Sequence, residues 1–232
     1  MATVQAEGIL FSRLHKAVDV GRHFRQTLTN MKKKDVKTFF QAIRHSDLQK
    51  VIELVTSDKA YLNATNFAPP KKDDGQSGLQ VSFKTSNFDI AQYLIEQGAD
   101  INFIETSEIN EWKAPVLHDC IRATIFNSYT LQKNTSQFER AFSLFKTMLV
   151  KKADPNAVDS YGNNCLNRAL MDARQMLDNP SADFSNDILL QQLRSVFREL
   201  INAGADPNQS SERRASFASN IINDRMEQYK LW

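Results

Sequence analysis

Residues 87–102 read NFDIAQYLIEQGADIN, an amphipathic helical run that stops on Gly98-Ala99-Asp100-Ile101-Asn102. The same stop recurs as Lys152-Ala153-Asp154-Pro155-Asn156 and as Gly204-Ala205-Asp206-Pro207-Asn208. Each copy follows a helical run: IAQYLIEQ, AFSLFKTMLVK and VFRELINA. The alanines are 54 residues apart (99 to 153) and then 52 (153 to 205). A glycine ending a helix takes a positive φ without steric cost and closes it. Asp and Asn then hydrogen-bond to nearby backbone and fix a turn. The phrase therefore specifies a helix, a sharp stop, an extended turn and the next unit. Lys152 in the glycine position predicts a looser cap.

A second signal accompanies the stops. Residues 74–82 read DGQSGLQVS, 114–118 read APVLH, and 159–169 read DSYGNNCLNRA. These resemble the Asp-x-x-Gly-x-Thr-Pro-Leu-His-x-Ala signature of ankyrin repeats, and residues 87–102 resemble the second helix of that family. Residues 39–55, FFQAIRHSDLQKVIELV, fit as well, with Ala42 in the helix-one alanine position and His45-Ser46-Asp47 in the inter-helix turn. The resemblance covers residues 35–210. The spacing exceeds the roughly 33 residues of an ordinary ankyrin unit. What it implies is an all-α, ankyrin-like helical-repeat solenoid of about four helix pairs with N- and C-terminal capping helices.

The expected division is one domain: an N-terminal cap at 1–34, repeats at 35–66 and 67–102, elongated repeats at 103–156 and 157–208, and a C-terminal cap at 209–232. In the third unit helix one is expected at 116–129, then a turn capped by Thr135 or Ser136. Helix two carries a stripe of Phe138, Ala141, Phe142, Phe145, Met148 and Leu149. In the fourth, helix one is expected at 165–177, ended before Pro180, and helix two carries Leu189, Leu193, Val196, Phe197, Leu200 and Ile201. Segments 8–28 and 215–230 are the expected caps. Residues 67–78, with Pro69-Pro70, read as an exposed loop, and 103–113 and 157–163 as further projecting turns.

Composition narrows the function classes. The 232 residues carry 29 Lys+Arg against 27 Asp+Glu, a formal charge of +2. That is too little surplus for a dedicated nucleic-acid binder. The basic clusters Lys32-Lys33-Lys34, Lys71-Lys72, Lys151-Lys152 and Arg213-Arg214 are scattered among acids. Seven glycines and six prolines favour helices over a loop-rich β fold. Two cysteines, Cys120 and Cys165, make no disulfide framework, and a reduced cytoplasmic setting is expected. No signal-like or membrane-spanning apolar run is read.

Catalytic signatures such as G-x-S-x-G, a P-loop or HExxH are not found. His118 and Cys120 are near neighbours, with Cys165 in the next unit. Residues i and i+2 of a helix point about 200° apart, which disfavours joint metal ligation. His118 coincides with the turn-bonding His of the ankyrin signature, and the cysteines read as small buried hydrophobes. No catalytic, cofactor or metal residue is expected.

Function by resemblance is recognition of a partner protein, without catalysis, through the concave helix face and projecting turns. Trp112 and Tyr161, aromatics beside the turns, are candidate anchors. Arg122, Asn127, Asn167, Arg168, Asp172 and Arg174 are polar residues on helix one of their units. Of these, Arg122, Arg168 and Asp172 join Trp112 and Tyr161 as the expected partner-binding set. Ser216, after Arg213-Arg214, is a candidate phosphorylation site or a helix cap. Rival readings are a stand-alone inhibitor that occludes one partner, an enzyme using His118, Cys120 or Asp172 with Asp178, and a nucleic-acid binder.

Overall fold

The computed structural model describes residues 32–222 and 225–231, so the expected N-terminal helix at 8–28 lies outside the described residues. Nine α-helices are present among them: α1 Lys33–Arg44, α2 Leu48–Ser57, α3 Gly78–Lys84, α4 Phe88–Glu96, α5 Val116–Phe126, α6 Ser136–Val150, α7 Cys165–Leu177, α8 Ile188–Asn202 and α9 Phe217–Ile222. Three 3-10 turns, Lys59–Asn63, Lys71–Asp73 and Arg225–Tyr229, accompany them. Among the described residues the only β pairing is three isolated bridges, two of which, Thr65 with Ser77 and Ile104 with Pro115, close the bases of projecting turns.

The helices pack pairwise, α1 on α2, α3 on α4, α5 on α6 and α7 on α8. First helices also touch in sequence, α1 on α3, α3 on α5, α5 on α7 and α7 on α9, and second helices do the same from α2 through α4 and α6 to α8. The core runs continuously along these two rows, with Phe39, Phe40, Phe83, Phe145, Phe197 and Phe217 fully buried. Small residues on the first helices, Ala42, Ser82, Cys120 and Ala169, are all buried where helices meet.

All three stops close their helices by one mechanism. Ala99, Ala153 and Ala205 donate from N–H to the carbonyls of Leu94, Met148 and Leu200 at 2.9, 2.9 and 3.0 Å. The preceding residues donate to Ile95, Leu149 and Ile201. These are paired C-terminal capping bonds around a left-handed residue, with φ of +93° at Gly98, +71° at Lys152 and +95° at Gly204. The looser cap expected at Lys152 is not observed, because the two bonds hold Lys152 in the left-handed region despite its Cβ. Lys152→Gly is therefore expected to stabilise the protein by about 1 kcal/mol, the steric cost of that conformation for a residue with a Cβ, read as an upward shift in the urea midpoint.

The Asp-x-Asn half of each stop links one unit to the next. Asp100, Asp154 and Asp206 accept from the N–H of Asn102, Asn156 and Asn208 at 2.9, 2.9 and 2.8 Å. The Asn102 side chain accepts from Asp154 N–H and donates to the Lys152 carbonyl. Asn156 repeats this with Asp206 and Gly204.

Several local expectations are corrected. The third unit's first helix ends at Phe126 rather than Tyr129, and Tyr129 N–H instead donates to Gln192 Oε1. The cap of α6 is supplied by Asn134, whose Oδ1 accepts from Ser136 N–H at 3.0 Å, while Thr135 makes no side-chain capping bond. The segment 67–78 is an exposed loop only in its first half: Phe67, Pro69, Lys71 and Lys72 are exposed, but Asp73 and Gln76 are buried, because Asp73 pairs with Arg44 and Gln76 donates to Glu105 and the Lys72 carbonyl. At the C-terminus a helix at Phe217–Ile222 and a 3-10 turn at Arg225–Tyr229 stand where one longer helix was expected.

Gly75 joins two adjacent projecting turns. Its carbonyl accepts from Thr106 N–H at 2.9 Å, its φ is +73°, and a Cβ built on it would lie 2.0 Å from the backbone nitrogen of Ser107. Backbone cannot give way as a flexible side chain can. Gly75→Ala is thus expected to cost about 2 kcal/mol of stability, from overpacking plus the positive φ, measurable by urea denaturation.

Candidate functional site

A groove of about 950 Å³ opens between the first-helix row and the turns at 67–78 and 103–113. Its floor comes from α1, α3 and α5, its wall from the turns, and Trp112 stands between the two. The register of the helices explains the floor. Lys84 and Arg122 are each the seventh residue of their helix, and Arg44 stands two residues after Ala42 as Lys84 does after Ser82 and Arg122 after Cys120. Each of the first three units therefore sends one cation to the groove, while the fourth has Met171 at that register position.

Every one of these cations is braced by a carboxylate from the following unit. Arg44 donates to Asp73, with the closest contact 2.7 Å. Lys84 Nζ lies 3.8 Å from Asp119, and Arg122 Nε lies 3.8 Å from Asp172. In each pair the cation is the more exposed member: 16% against 5%, 24% against 1%, and 35% against 0% of side-chain surface. Burial pushes the Asp119 carboxyl up, and Lys84 and the Gln80 amide partly offset it. Burial likewise pushes up Glu105, which lines the same groove and accepts from Gln76 and Asn110.

Trp112 is held in place rather than free. Its indole N–H donates to Asp159 Oδ2 at 2.9 Å. Lys84 Nζ and the Arg122 guanidinium lie 5.6 and 5.4 Å from its ring centroid, within cation–π range. Arg122 also lies 5.5 Å from the Phe126 ring. Burial of Asp159 raises its carboxyl, but bonds from Asn163 and Trp112 outweigh this and hold it below the usual range. Tyr161, 38% exposed, donates its backbone N–H to the same Asp159, so one carboxylate holds the Trp112 indole and the Tyr161 main chain.

The expected binding residues divide into two groups. Trp112, Tyr161 and Arg122 all line the groove. Arg168 and Asp172 lie inside the molecule, 8% and 0% exposed, with Arg168 Nη2 and Nε donating to Asp172 at 2.6 and 2.9 Å. An i,i+4 pair on α7, they brace the groove from behind instead of lining it. Asn167 is also interior, bonding Ala215 and Asn220. Ser216 is 9% exposed and caps α9: its Oγ accepts from Ser219 N–H at 3.2 Å. Lys84, Arg44, Asp73, Glu105 and Asp119 escaped the sequence reading. Aligning the first helices on their buried small residues would have found the Arg44, Lys84 and Arg122 series.

His118 and the cysteines do not form a reactive pair. His118 is fully buried, and its Nε2–H donates to the Ala157 carbonyl of the next turn at 3.1 Å. Burial depresses its pKa to about 4, so the ring is neutral at pH 7. Burial pushes both thiols up, Cys120 and Cys165 alike, away from the thiolate a nucleophile needs. No group of three or more His, Cys, Asp or Glu side chains among the described residues could hold a metal ion, and none of the described helices is long and apolar enough to cross a membrane. Compared with models of known protein families and with curated proteins, the chain matches none.

Proposed function

We propose that the chain is a solenoid of four ankyrin-like helix pairs that binds a partner protein through the groove beside Trp112, with no chemistry of its own. The observation that carries this reading is the combination of a fixed indole, Trp112, with an uncovered apolar rim. Ile109 and Tyr161 line the groove and are 60% and 38% exposed. Trp112 is locked by Asp159, Lys84 and Arg122 before anything binds. Preorganised side chains lose little freedom on association, which is where rigid repeat surfaces gain affinity. The two rows of contacting helices and the unit-to-unit Asn bridges support the same view of a stiff scaffold.

The test compares affinity purification by the wild type and by an Ile109→Asp/Tyr161→Ala variant, both from native lysate, followed by rebinding with the purified partner. A partner held by the wild type and bound at least tenfold more weakly by the variant supports the reading. Equal binding by both removes the groove from it. Loss or retention of the partner's own activity then separates an occluding inhibitor from an adaptor.

A further inference from the structure

The groove's cations are not fully used. Arg44 commits Nε and Nη2 to Asp73. Lys84 and Arg122 have no hydrogen-bond acceptor among the described residues, and their carboxylate neighbours stand at 3.8 Å, beyond hydrogen-bond reach. Both keep their N–H donors while Trp112 fixes their positions. The matching carboxylates are buried, so an incoming group meets the cationic heads first. At the rim the exposed Lys72 and Glu111 offset each other.

From this geometry we infer that the occupant of the groove is an extended acidic peptide segment, its carboxylates bonding Lys84 and Arg122 on either side of its contact with Trp112. The inference rests on the protein-binding reading above and names the chemistry of the partner. Neighbouring helices pack about 8–10 Å apart, and an extended polyproline-II chain rises about 3.1 Å per residue with three residues per turn, so every third side chain returns to one face. Acidic residues at every third position therefore match the unit spacing. Charge-assisted bonds from Lys and Arg to carboxylate are the strong kind, and the exposed Ile109 and Tyr161 offer apolar surface to the residues between.

The test uses the full chain carrying Trp232→Phe, which leaves Trp112 as its one indole, since the sequence has two tryptophans. Trp112 emission is titrated with a capped peptide bearing glutamate at every third position and threonine and valine between. Matched peptides carry glutamine or lysine in place of glutamate, and a single-stranded oligonucleotide of similar length is titrated alongside. The glutamate peptide is expected to bind at least tenfold more tightly than the glutamine peptide and to weaken severalfold between low and physiological salt. Lys84→Gln/Arg122→Gln is expected to lose about tenfold, whereas Lys151→Gln, at the far end of α6, is expected to change nothing. The peptide series is read on unsubstituted groove residues, so it stands even if the double variant folds poorly.

Preference for the lysine peptide overturns the inference; Gln76 Oε1 and Asp119 Oδ1, both in the groove lining and buried without a donor, are the features that would favour it. Tighter binding of the oligonucleotide overturns it in favour of a nucleic-acid surface. Equal binding of glutamate and glutamine peptides removes the acidic specificity and leaves protein binding standing. No binding of any peptide at millimolar concentration removes both.

Discussion

Arg168→Met is expected to lower stability at pH 7 by about 3–5 kcal/mol, because it leaves the Asp172 carboxylate buried without its main partner. Asp172 is 0% exposed, and Arg168 donates two of its hydrogen bonds. Arg122 lies 3.8 Å away, on the groove side, and is too far to replace them. Burial already pushes the Asp172 carboxyl up, with Arg168 the leading counterweight and Arg122 the next. Removing Arg168 raises it further. The loss should thus shrink as pH falls and Asp172, its carboxyl raised by burial, takes up a proton and stops demanding a cation. Arg168→Met/Asp172→Asn should recover most of the stability at pH 7, since no uncompensated charge remains. Urea denaturation of the three proteins at pH 7 and pH 5 checks all of this. A single-variant loss below about 1 kcal/mol would mean that Arg122 or water supports Asp172 adequately. The same variant also reports on the groove: Asp172 would then draw Arg122 inward, away from Trp112, and the indole emission should shift.

Much of the architecture is legible in the chain itself. The three Ala-Asp-x-Asn stops mark the ends of α4, α6 and α8, since capping and turn chemistry are local and a handful of residues specify them. Helix one of the fourth unit was placed at 165–177 and is found at Cys165–Leu177, because the Asn164 cap and the break before Pro180 are both written in sequence. The stripe of Phe138, Ala141, Phe145 and Met148 is buried as its spacing requires, with Phe142 partly covered.

The groove was legible only in part. Trp112 and Tyr161 drew attention by residue type, yet the carboxylate that ties them, Asp159, lies 47 residues from Trp112. Arg168 and Asp172 were expected on the binding face because charge on a helix ordinarily means solvent. Their mutual pairing overrides that rule, and nothing in the spacing says which of several i,i+4 charges turn inward. The 67–78 segment misled in the same way in its second half. Its Pro and Gly residues promise an exposed loop, but Asp73 finds Arg44 29 residues earlier and Gln76 finds Glu105 29 residues later. Long-range pairs of this kind are set by how the units stack, which local propensity does not encode.

His118 supplies the second large effect, one of acid sensitivity. Its folded pKa of about 4 is set first by burial, with Asp159 and the Ala157 carbonyl pulling the other way and Arg168 adding to the depression. The unfolded value is about 6.5. Between these values the unfolded chain binds the proton and the folded chain does not, so stability falls as pH drops through the window. Integrated from pH 7 to pH 4, the loss from this one group is about 3 kcal/mol. Asp119, Glu105 and Asp172 act in the opposite sense, because their raised carboxyls bind protons in the folded state before the unfolded state does. The wild-type profile alone is therefore a poor test, and the informative quantity is its difference from His118→Gln. Glutamine keeps an N–H donor for the Ala157 carbonyl and removes the titration. The difference in unfolding free energy between the two proteins should change by about 3 kcal/mol from pH 7 to pH 4, in favour of the variant at low pH. Profiles that stay parallel within about 1 kcal/mol would show that His118 titrates near its ordinary value, and that water reaches the turn between the third and fourth units. The expected outcome places the acid-labile point of the fold at α5, one helical turn from Arg122 and the groove.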